Sequence, residues 1–235
     1  MAADPRVSSD SPRTVRPFSR TGTPPLWLAL LGALVLVLVL IDLYLSGPLR
    51  HLDHSVSDQM RRWDVRRSEA KPLVYAFTLF GQRGTVLGVS GPIAAFLCWR
   101  DRSWRIAALY IAALLAIYVV VYALKDATDR TAPPVDHLHV AAGASFPSGH
   151  LVNALVLWWL LATCAARVGV DGRIVRVLLI VDWAAPFAVL VAMTLLNYHW
   201  ISDFVGGLCV GLVLRYGISL AVARLFRPDV ASGGV

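Results

Sequence analysis

Charged side chains are scarce in this chain. Asp, Glu, Lys and Arg together make up 16% of its 235 residues, where a soluble domain usually carries about 25%. Hydrophobic residues reach 57%, and the mean hydropathy is +0.63. That balance excludes an ordinary water-soluble fold. Cysteine is also rare. Cys98, Cys164 and Cys209 each fall inside an apolar run without metal-ligand spacing, so they read as small buried hydrophobes. A cleavable signal sequence is missing too, because the apolar run Leu26 to Leu45 is too long for one and has no clear small-x-small site after it. Neither an internal repeat nor a second domain is visible.

What is present is a series of apolar runs, most of them near 20 residues, each long enough to cross ~30 Å of hydrocarbon as a helix. The first is Leu26 to Leu45. The second runs from about Pro72 or Thr85 to Trp99 and is interrupted by Gly81-Gln82-Arg83-Gly84. The third spans Ile106 to Leu124 and stops at Lys125, ahead of a Pro-, Gly- and His-rich loop from Asp126 to Pro147. The others are Ser148 to about Ala166, Ile174 to Leu196, and His199 to Arg224. The expected fold is all-α, a six-helix transmembrane bundle. After the first crossing, Leu52, Val56, Met60 and Trp63 recur at helical spacing and predict a helix lying at the interface. Residues 1–24, rich in Ser, Pro, Thr and Arg, read as a disordered basic tail. Residues 25–227 form the membrane domain and 228–235 a short C-terminal tail.

The net charge of +7 does not point to nucleic acid, because the arginines sit in short segments flanking the apolar runs. Arg6, Arg13, Arg16 and Arg20, with the basic turns near Arg100 and Arg173 and the C-terminal Arg224 and Arg227, outweigh the cations on the other side. The positive-inside rule therefore places the N-terminus in the cytoplasm.

Six crossings bring three polar places to the face opposite the N-terminus: Lys125 and Arg130 after the third, His150 at the start of the fourth, and His199 with Asp203 between the fifth and sixth. Ionisable groups at such depth are costly and usually functional. In Pro147-Ser148-Gly149-His150 a loop turns into a helix, whose free N–H groups and positive end can hold an anion. Gly149 allows close approach to a phosphate and Ser148 adds a hydroxyl. His199 and Asp203 are four apart, on one face of a helix, so the carboxylate can fix the imidazole tautomer and leave the other nitrogen as nucleophile. Lys125 and Arg130 are candidate phosphate clamps. The loop histidines His137 and His139 read as solvated.

At these residues the chain resembles the type 2 phosphatidic acid phosphatase superfamily, which includes the vanadium haloperoxidases. That family carries a KxxxxxxRP stretch, PSGH and SRxxxxxHxxxD on a six-helix membrane core. Here Pro147 to His150 completes the second motif, and His199 to Asp203 completes the end of the third, over a resemblance covering roughly residues 50 to 225. It implies a metal-independent phosphohistidine mechanism on a membrane lipid phosphate, with no cofactor. His199 is the nucleophile, Asp203 its orienter and His150 the general acid, with Ser148, Gly149 and Lys125 on the phosphate and the site on the extracytoplasmic side. Two family arginines are replaced, by Ala132 and Met193. Charge-assisted bonds of that kind are worth ~1.5–3 kcal/mol each. Arg130 is expected to substitute in part, and Arg83 and Asn197 are candidate accessory donors. A weakly catalytic relative that binds or moves a phospholipid, or a lipid phosphotransferase, is the alternative.

Overall fold

A computed structural model describes residues 25–134 and 144–226. The two terminal tails and the loop histidines His137 and His139 lie outside the described residues. Those residues are all-helical apart from turns, with eight α-helices and no strands. The helices are α1 (Leu26–Leu45), α2 (Pro48–Trp63), α3 (Lys71–Thr78), α4 (Arg83–Asp101), α5 (Arg105–Thr128), α6 (Gly149–Arg167), α7 (Gly172–Leu195) and α8 (Ile201–Leu225). A single 3-10 turn, Val65–Arg67, joins α2 to the segment before α3.

Five of them, α1, α5, α6, α7 and α8, are long and apolar enough to cross a bilayer, as expected of a multi-pass membrane protein. The expected second crossing is in two pieces, α3 and α4, and α4 carries Arg83, Arg100 and Asp101 at its ends. The break at Leu79–Gln82 is held from outside. Asn153 and Trp158 of α6 donate to the carbonyls of Gly81 and Phe80, at 3.1 and 2.9 Å. The third crossing also runs on past its expected stop. One more helical turn includes Lys125, and Asp129 then closes it in the left-handed region (φ 39), donating to the Lys125 carbonyl. Lys125 therefore projects from a rigid helix end, not from the start of a loop.

The centre of the bundle is α6, apolar nearly all round and buried along most of its length, with α4, α5, α7 and α8 packed about it. That is the position for a helix with no polar face. α8 approaches α6 closely because it carries glycine where α6 and the loop before it pass. A Cβ at Gly211 would lie 2.6 Å from Leu155, and one at Gly206 would lie 2.4 Å from the Phe146 ring. α1 packs on the outer side of α8. Helices α1, α5 and α7 end, and α4, α6 and α8 begin, at one end of the bundle.

α2 caps that end, but with only part of its apolar stripe. Leu52 and Trp63 stay exposed, while Met60 is buried together with Asp53 and Ser57, which lie one step round the helix. Polar partners on α8 and after α5 decide which face turns inward.

Candidate active site

The turn between α7 and α8 is built to present His199. Leu196, Asn197 and Tyr198 donate their backbone N–H groups back to Ala192, Thr194 and Met193, at 2.8–3.0 Å. Asn197 makes the corner in the left-handed region, φ 52. Arg66, from the turn after α2, lies over the Tyr198 ring at 4.3 Å and donates to the carbonyls of Leu196 and Asn197. His199 then sits one residue before the α8 N-cap, with its Nδ1 3.0 Å from Asp203 Oδ2. The same oxygen accepts the Trp200 N–H at 3.0 Å. Asp203 is wholly buried. An ionised carboxylate there can only accept, and a proton on His199 Nδ1 would then leave the Nε2 lone pair free.

The start of α6 faces this ring. The His150 and His199 centroids are 6.3 Å apart. The Ser148 N–H is tied to the Asp203 carbonyl at 3.0 Å, which locks the two helix starts together. No side chain caps α6, so the N–H groups of its first turn are unclaimed and an anion there gains both hydrogen bonds and the helix dipole. The Ser148 hydroxyl is buried with no hydrogen-bond partner among the described residues. A cavity of about 740 Å³ opens here, lined by His150, His199, Gly149, Lys125 and Arg83. Lys125 also reaches the Ala144 carbonyl. Arg83 stands at the first position of α4, over the Tyr122 ring at 5.7 Å.

Of the sequence-predicted residues, then, His199, His150, Gly149, Lys125 and Arg83 share one cavity. Asp203 and Ser148 lie beneath its wall. Asn197 does not line it and serves as the turn corner. Arg130 is engaged elsewhere. Its guanidinium bridges Asp203 Oδ1 at 2.9 Å and Asp53 Oδ2 at 2.6 Å, and it also donates to the Ser202 hydroxyl. The expectation that Arg130 substitutes in part for the arginine replaced by Ala132 does not fit this geometry: Ala132 lines the cavity and Arg130 does not. The two buried carboxylates draw the guanidinium the other way.

The PAP2 superfamily profile matches residues 106–227. The chain belongs to the PAP2 superfamily. A comparison with curated proteins finds no significant match. Among solved structures, the fold is similar to a transmembrane PAP2-type phosphatidylglycerolphosphate phosphatase from Bacillus subtilis. The identity is 17% and the TM-score 0.74, covering 85% of this chain and 98% of that one.

Within the PAP2 pattern, Ala132 and Met193 stand where motif arginines are usual, and both line the cavity. The cavity lining is thus less positive at these two positions than the family motif implies, and Arg83 of α4 is a cation in the same lining. Asp53 and Arg66 were not legible in the sequence. Both lie in the basic, polar loop after the first apolar run, and only the bundle's closure brings them to the α7–α8 turn. The one available signal was an Asp at helical spacing beside an apolar stripe.

Proposed function

We propose that this chain is an integral membrane lipid-phosphate phosphatase, acting on a phosphomonoester or diphosphate of an isoprenyl or phosphatidate-type lipid through a phosphohistidine, without a metal. One observation carries the reading: His199, its Nδ1 committed to Asp203, faces His150 across the unclaimed α6 N-terminus inside one cavity. His199 Nε2 attacks phosphorus, and the bond from phosphorus to the lipid-side oxygen breaks. That oxygen takes its proton from His150. Water then attacks phosphorus and gives a proton to His150. The P–N bond breaks, releasing inorganic phosphate and returning His199 to its starting form. The Gly149 and His150 N–H groups, Lys125, Arg83 and the unpaired Ser148 hydroxyl hold the equatorial oxygens as charge builds.

The proposed arrangement in the membrane has α4 as the sixth crossing, with α2 lying in the interface and its Leu52 and Trp63 toward lipid. The N-terminus is cytoplasmic and the cavity extracytoplasmic. The basic flanks and the alternating helix directions support this.

The test is phosphate release by purified protein in detergent with chelator present, across isoprenyl diphosphates, phosphatidate, phosphatidylglycerol phosphate and lysophosphatidate. The wild type releases phosphate and His199→Ala does not. Undiminished release by His199→Ala removes the proposed nucleophile. A second reading, a binder with little turnover, is favoured by the apolar Ala132 and Met193 in the cavity wall. Under it, the wild type binds a phospholipid without hydrolysis, and Ala132→Arg with Met193→Arg raises the rate. Fast wild-type turnover excludes it.

A further inference from the structure

Asp53 is 1% exposed on a helix whose other inward residues are a serine and a methionine. Burying a carboxylate there is costly unless it is fully paired. Its pairing is complete. Oδ1 accepts the Ser202 N–H at 2.9 Å, and Oδ2 accepts the Ser202 hydroxyl and Arg130, both at 2.6 Å. Arg130 spans from it to Asp203, with the guanidinium lying 5.2 Å from the Trp200 ring. Asp203 is thereby gripped at both oxygens. Oδ2 takes His199 and the Trp200 N–H, while Oδ1 takes Arg130 and, at 3.4 Å, the Ser145 hydroxyl. The carboxylate cannot rotate toward the cavity without giving up both sets.

We propose that Asp53 and Arg130 are positioning residues that act through Asp203 on His199, so that α2 is part of the catalytic apparatus. The proposal rests on the phosphatase reading given above for its kinetic consequence only. Neither side chain lines the catalytic cavity, so their loss acts on turnover and not on substrate binding.

Two measurements on the full chain in detergent test this. Asp53→Asn keeps the shape and removes the charge. It lowers kcat by about 10- to 100-fold, as loss of an outer hydrogen-bond partner does at ligand histidines, with KM unchanged. Nitrogen-15 NMR of labelled histidine, assigned with His199→Gln, shows the Nδ1–H tautomer of His199 losing population. Arg130→Lys keeps the charge, loses the fork and changes both readouts in the same sense. It decides alone if Asp53→Asn does not fold. The proposal is overturned by an unchanged tautomer in a folded variant, or by a rise in KM at constant kcat, which would make Arg130 a phosphate ligand. A wild type that releases no phosphate defeats the phosphatase reading, while the tautomer shift still decides the positioning claim.

Discussion

With His199 Nδ1 bound to Asp203 at 3.0 Å, exchanging that carboxylate for an amide changes the ring's tautomer and also strips Arg130 of one partner. Asp203→Asn is therefore expected to lower kcat by roughly 10²–10⁴-fold and to lower the melting temperature, both read on the same detergent-purified sample. A normal rate would show that the ring needs no orienter. Gly149 separates ligand from fold more cleanly. A Cβ there meets only Val121, at an ordinary 3.7 Å, so Gly149→Ala should melt like the wild type. Its kcat/KM should fall about tenfold or more if the backbone closes on a phosphate, and an unaltered kcat/KM would place the phosphate elsewhere. At this scale the sequence was informative about His150, His199, Asp203 and Gly149, because each belongs to a short local pattern. It misled on Arg130, since the direction of a side chain in irregular backbone is set by partners far along the chain.

The helices meet where side chains are missing. Gly206→Ala would push a methyl to 2.4 Å from the buried Phe146 ring, and Gly81→Ala would push one to 2.4 Å from the His150 carbonyl. Overpacking of this kind costs about 1–3 kcal/mol, so both variants should melt earlier. They should differ in function. Gly81→Ala displaces the corner that carries Arg83 from the α6 N-terminus and should raise KM more than its stability loss explains. Equal KM values at equal stability would argue against Arg83 as a phosphate donor. Helix existence was legible from apolar runs, and helix ends less so. The break before Arg83 and the extra turn through Lys125 depend on hydrogen bonds from α6 and on the cap at Asp129, which no run of hydropathy records.

Across the molecule, α7 and α8 are pinned midway by Asp182 and Arg215, 3.0 Å apart and shielded from solvent, with Arg215 lying 5.2 Å from the Trp159 ring. Removing one partner strands the other, at a cost of about 3–5 kcal/mol. Arg215→Leu should lower the melting temperature sharply, and Asp182→Leu together with Arg215→Leu should recover most of the loss. Equal melting of the single and double variants would show that the pair does not couple the helices. The proposed orientation is open to a direct check. Asp129→Cys, exposed at the α5 end, should react in intact cells with a membrane-impermeant maleimide, and protection until lysis would place the site in the cytoplasm. By itself, the sequence determined that this is a helical membrane protein with a His–Asp pair and a PSGH turn, because bilayer length and helical spacing are local constraints. Only the tertiary structure decided that Arg130 serves Asp203 instead of the cavity, that Asp53 of α2 closes the network, and that Arg83 faces the site. The first two are contacts between residues about 70 to 150 positions apart, chosen by the need to pair buried charge, and no local pattern encodes that need.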